Sequence, residues 1–134
     1  MRTVLTLSIL ILLVSCGTQK IISYQYNVIT RGYKKTVTVT QKKTLIEDVS
    51  RENKTVSVNT TPEMWKALQK ESQQIELNEI ATLTSPTNKR QFDGAMFAKL
   101  VLVTKDSIYT SAGFDHGYPP KMIKSVVDSI SSIK

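Results

Sequence analysis

From Ile21 the chain repeats with a period of two: Tyr24, Tyr26 and Val28 alternate with Gln25, Asn27 and Ile29. Successive side chains of a strand point to opposite faces, so this period predicts a strand over Ile21 to Thr30. Arg31-Gly32 supplies a turn, and Tyr33 to Thr40 continues as a second strand. In that strand Val37 and Val39 face one way, while Thr36, Thr38 and Thr40 face the other. Thr44 to Val49 reads as a third extended piece and Thr55 to Val58 as a short fourth. The period then changes. Thr61 is placed to cap a helix, Pro62 fits a first helical position, where no N–H is needed, and Glu63 suits the positive helix end. Met64, Trp65, Leu68 and Ile75 fall near one face, predicting a helix over Pro62 to Gln74. Leu77, Ile80 and Leu83 belong to a packed connection, and Ser85-Pro86-Thr87-Asn88 is a loop.

The third part of the chain carries the strongest strand pattern, Ala95 to Thr104, apolar on both faces except at Lys99. A strand with two apolar faces belongs in the interior of a sheet. Lys105-Asp106 links it tightly to Ser107 to Ala112, Gly113 to Tyr118 reads as a loop, and Pro119-Pro120 opens a last helix. Met122, Ile123, Val126, Val127, Ile130 and Ile133 form its apolar stripe. Strands, helix, two strands and helix, in that order, predict an α+β fold: an antiparallel sheet with both helices packed on one face, a two-layer sandwich over residues 21–134.

The first twenty residues do not join this pattern. Met1-Arg2-Thr3 is a short cationic start, and Val4 to Val14 is apolar apart from Thr6 and Ser8. Such a run is too short to span a bilayer, which takes roughly 20 residues, but it has the form of a secretory leader. Leu13-Val14-Ser15-Cys16 then resembles the lipobox of bacterial lipoproteins. That resemblance implies a signal peptide over 1–15, cleavage before Cys16, and acyl chains such as palmitate on Cys16. Residues 16–20 become a lipidated tether. Two or three buried acyl chains hold a protein to a membrane stably, at about 0.8 kcal/mol per methylene.

Composition narrows the function classes. Removing fifteen of the 134 residues leaves 119, one domain's worth. Cys16 is the only cysteine, so the domain has neither disulfides nor thiolate zinc sites. The chain carries 18 basic and 11 acidic groups, for a net charge of +7. On an exported chain the basic side chains first of all solvate the surface; if they meet a partner, anionic lipid head groups and acidic glycans are expected, with no nucleic acid. The lysines are scattered, apart from a modest cluster at Lys34, Lys35, Lys42 and Lys43.

Two loops carry the candidate chemistry: Phe92-Asp93-Gly94-Ala95 before the strong strand, and Phe114-Asp115-His116-Gly117-Tyr118-Pro119-Pro120 before the last helix. Together with the lipobox they resemble small lipoproteins of Bacteroidetes-type bacteria, a group to which no activity is attached. The likeness implies a shared fold and brings no catalytic residue. His116 is the only histidine, beside Asp115, and the hairpin brings Asp93 toward the same end of the sheet. A histidine with two carboxylates can act as a base or hold a metal, but a catalytic zinc usually takes three protein ligands rich in histidine. Ordinary turn chemistry accounts for the same residues: Asp before Gly makes a turn, Asp115 or His116 bonds the amides at the last helix's start, Gly117 takes positive φ, and Phe114 and Tyr118 pack the loop down.

The leading expectation is therefore a non-enzymatic, lipid-anchored envelope protein without cofactor or metal. It would sit most favourably at the outer membrane facing the periplasm. It would bind an envelope protein or polymer through an exposed sheet face, with the tyrosine- and threonine-bearing strands Tyr24 to Thr40 as the surface and Asp93, Asp115, His116 and Tyr118 as a further candidate binding set. The alternatives are a small hydrolase or metal-dependent enzyme using Asp93, Asp115 and His116, and an inhibitor of an extracellular hydrolase.

Overall fold

The computed structural model describes residues 19–50 and 52–134; the expected leader over 1–15 and Cys16 lie outside them. Seven strands form one antiparallel sheet: β1 (Ile21–Thr30), β2 (Tyr33–Thr40), β3 (Lys43–Val49), β4 (Lys54–Asn59), β5 (Phe97–Thr104), β6 (Ile108–Thr110) and β7 (Phe114–Asp115). The order across the sheet is β4-β3-β2-β1-β5-β6, with β7 also paired to β5. Helix α1 (Pro62–Glu71) and helix α2 (Lys124–Ser131) cover one face. This is the α+β two-layer arrangement that the periodicity calls for, and β5 lies inside the sheet.

The core is the helix-side face. It holds Tyr24, Tyr26, Val28, Val37, Val39, Ile46, Ala98, Leu100 and Leu102 from the strands, and Trp65, Leu68, Ile123, Val126, Val127 and Ile130 from the helical layer. Fully burying a side chain of this kind contributes roughly 1.5–3 kcal/mol. Cross-strand registers put Tyr24 against Val39 and Leu102, and Tyr26 against Val37 and Leu100. A bulge at Ile21/Ser23 keeps both Ile21 and Tyr24 inward despite their odd spacing. Trp65 meets Tyr24 edge to face, with ring centroids 5.6 Å apart. The Tyr24 hydroxyl reaches Ser72 and Gln69 at 2.9 Å each.

The helix that begins at Pro62 is capped as expected, Met64 N donating to Thr61 Oγ1 at 3.2 Å, and a 3-10 turn, Ser72–Gln74, finishes it. Four local expectations change. β5 starts at Phe97, because Asp93 and Gly94 close the preceding turn and pairing with β7 begins only at Phe97. The supposed loop from Gly113 contains β7. Pro119-Pro120 stand before a 3-10 turn, Lys121–Ile123, and the α-helix begins only at Lys124. The cluster Lys34, Lys35, Lys42 and Lys43 is split, since the β2–β3 registers put Lys34 and Lys35 at one end of the sheet and Lys42 and Lys43 at the other. Among the described residues no helix is long and apolar enough to cross a membrane.

Candidate functional site

Alternation along β7 and its exit decides the fate of the Phe114-Asp115-His116 motif. Phe114 and His116 turn toward the helical layer, and Asp115 turns to the opposite face. Phe114 is fully buried and stacks on Tyr26, with centroids 6.3 Å apart. His116 places Nδ1 2.8 Å from the Tyr26 hydroxyl. Burial, and next the charge of Asp128, push the Tyr26 hydroxyl pKa well up, so the phenol stays protonated and bonds the ring at Nδ1. Burial first, and then Lys35, lower the His116 pKa, which keeps the ring neutral at pH 7. A cleft of about 110 Å³ lies beside this pair, lined also by Val28, Tyr33, Lys35 and Met96. With Nδ1 occupied by a tyrosine rather than a carboxylate, the ring lacks the partner of an acid–base dyad.

Asp115 is fully buried on the other side. It accepts from Thr87 Oγ1 at 2.5 Å, the Lys89 amide at 2.6 Å, the Arg90 amide at 3.2 Å and Arg90 Nη1 at 2.8 Å. Burial alone would raise its pKa. The bonds from Thr87, Arg90 and Lys89 outweigh burial and hold the carboxyl at about 2. The two amides are the first of a 3-10 turn, Lys89–Phe92. Asp115 thus caps a turn 25 residues upstream rather than the start of the last helix.

Asp93 is exposed and ends that same turn in the left-handed region, at φ 54°. The Gly94 amide closes the turn onto the Lys89 carbonyl at 2.8 Å. Gly117 takes the expected positive φ, 88°. Tyr118 does not pack the loop down: it is exposed, and Lys89 Nζ lies 2.8 Å from its hydroxyl and 4.0 Å from its ring centre. The two loops do share one end of the sheet, with the His116 amide donating to the Met96 carbonyl at 2.8 Å. Their side chains nevertheless serve separate purposes. Among the described residues no group of three histidine, cysteine, aspartate or glutamate side chains is placed to hold a metal ion.

The sheet face away from the helices is the other candidate. Tyr24 and Tyr26 are not part of it, because both are buried in the core; the tyrosines expected at the surface are packing groups. Register builds the open face in rows across the strands. The row Val49, Lys34, Ile29, Phe97 is followed by Glu47, Thr36, Asn27, Lys99. The third is Leu45, Thr38, Gln25, Val101, and the fourth Lys43, Thr40, Ser23, Val103, Ile108. Thr36 Oγ1 donates to Asn27 at 3.0 Å. Phe97, Val101 and Val103 are only half-buried, and Ile29 and Val49 are exposed. β5 is an interior strand, as its two apolar faces predict, but among the described residues no helix packs on its second face, which stays half-buried.

Sequence reasoning singled out Asp115 and His116 but missed their partners, Thr87, Lys89 and Arg90 for one and Tyr26 for the other. These lie 25 to 90 residues away, and no local spacing links them. No protein-family model, curated protein or solved structure matches the chain.

Proposed function

We propose that this protein is a lipid-anchored envelope protein, held at the outer membrane facing the periplasm through Cys16, and that it works as a non-enzymatic docking module. The observation that carries the reading is the open sheet face. Half-exposed Val101, Val103, Phe97 and Leu45 stand among Thr38, Thr40, Gln25, Asn27 and Lys99. Apolar side chains on β5 and β3 that flank a polar centre on β1 and β2 make a mixed surface of the kind that proteins dock on. The occupant is therefore a protein of the envelope rather than a polymer. The candidate-site chemistry fits a supporting role: Asp115 and His116 are each engaged in holding the sheet end together.

A photo-crosslinking residue at Thr38 or Val101, compared with one at Lys66 or Lys124 on the helical side, tests the docking face in intact envelopes. Capture of one defined protein from both open-face positions and from neither helical position is expected. Equal capture from all four, or crosslinks only to glycan, would overturn it. Growth with labelled palmitate tests the anchor separately: label is expected on the wild type and absent from Cys16→Ala, and an unlabelled wild type refutes lipidation.

A further inference from the structure

The described fold begins at the sheet end where β1 starts, five peptide steps after Cys16. At roughly 3.3–3.6 Å per residue, those steps keep Ile21 within about 18 Å of the anchored residue. Register identifies what else stands at that end. Ile21 pairs with Thr104, next to the β5–β6 turn that carries Lys105 and Asp106. Ser23 pairs with Thr40, next to the β2–β3 turn that carries Lys42 and leads into Lys43. Lys20, Lys42, Lys43 and Lys105 are all exposed. Asp106, Glu76 in the groove shared with Lys20, and Glu63 in the first turn of α1, three residues past the Thr60 amide that bonds the Lys42 carbonyl, are acids placed near them. Two large apolar side chains break the surface at the same end, Ile22 at 47 % and Ile108 at 70 % exposure.

We infer that this end of the sheet is a membrane-facing surface: Lys20, Lys42, Lys43 and Lys105 meet anionic lipid head groups, while Ile22 and Ile108 touch the acyl boundary. The assignment rests on the lipid-anchor reading, which selects this end over the opposite one, where Arg31, Lys34 and Lys54 also supply positive charge. A single acyl chain binds marginally, and a basic patch is the kind of second signal that makes anchorage stable. With this end on the bilayer, the strands stand away from the membrane and the open face of the sheet looks sideways, free for a partner.

The test uses the mature chain carrying Cys16→Ser, so that no lipid contributes, and vesicles of phosphatidylcholine with or without phosphatidylglycerol. Binding is expected only with phosphatidylglycerol, and it weakens as salt rises. A basic residue at a membrane surface is worth about 1 kcal/mol, or roughly fivefold, so K42Q/K43Q/K105Q loses on the order of a hundredfold. The opposite-end variant R31Q/K34Q/K54Q loses less than about fivefold by the same reasoning, since its charges lie beyond a Debye length. Equal losses in the two variants, or no binding by the parent chain, would overturn the inference. Neither outcome touches the anchor itself, which palmitate labelling decides.

Discussion

Replacing Asp115 by Asn keeps the shape of the side chain and removes its charge. Both carboxylate oxygens now accept: Oδ2 takes Thr87 and the Lys89 amide, and Oδ1 takes the amide and guanidinium of Arg90. An amide has one accepting oxygen, so whichever way Asn turns, its NH₂ meets a set of donors. A hydrogen bond to a charged group contributes about 1.5–3 kcal/mol, and an unpaired buried donor costs about 1–3. The ion pair itself adds less, because the Arg90 side chain is 21 % exposed and regains water. The expected loss is about 3 kcal/mol, or a fall in Tm of roughly 12 °C at ~4 °C per kcal/mol. Urea unfolding followed by the fluorescence of buried Trp65 measures it, and Arg90→Ala, which also strips bonds to Ser85 and Thr87 beside the fully buried carboxylate, should lose roughly 2–3 kcal/mol. The pH dependence supplies a second check. A carboxyl lowered from 3.8 to about 2 in the fold stabilises fully above 3.8, and that contribution is lost as pH falls toward 2. The gap between wild type and D115N should therefore be constant above pH 3.8 and close below it. A gap under about 1 kcal/mol at neutral pH, against the charge-assisted values used here, would refute the account of Asp115 as the organiser of this sheet end.

His116→Ala leaves the buried Tyr26 hydroxyl without its hydrogen-bond partner and should destabilise by about 1–3 kcal/mol. Because the fold lowers the His116 pKa, its contribution is present above 6.5 and is lost as pH falls below that value, so stability measured in urea should drop more steeply below pH 6.5 in wild type than in the variant. Gly113→Ala would drive its Cβ into the Phe97 ring at Cε2 and Cζ; a loss of about 1–3 kcal/mol is expected from overpacking, relieved in the double variant with Phe97→Ala. Thr61→Ala removes the cap on α1 and should lose about 1 kcal/mol by thermal unfolding, while Thr61→Ser changes little.

What the chain declares on its own is what depends on neighbours in sequence. The period-two run of Tyr24, Tyr26 and Val28, the Thr61-Pro62 start and the stripe from Ile123 to Ile130 each report one element and its buried side. Side-chain direction in strands and helices follows backbone period, so these elements and the two-layer α+β class were legible. The run up to Cys16 that resembles a leader and lipobox is local in the same sense. Tertiary structure decided whatever required two distant segments to meet. It placed Asp115 against Thr87, Lys89 and Arg90, gave His116 a tyrosine instead of a carboxylate, and split the lysine cluster between the two ends of the sheet. It also left the second apolar face of β5 bare. A side chain's period says which way it points, but only packing and register say what stands there to receive it.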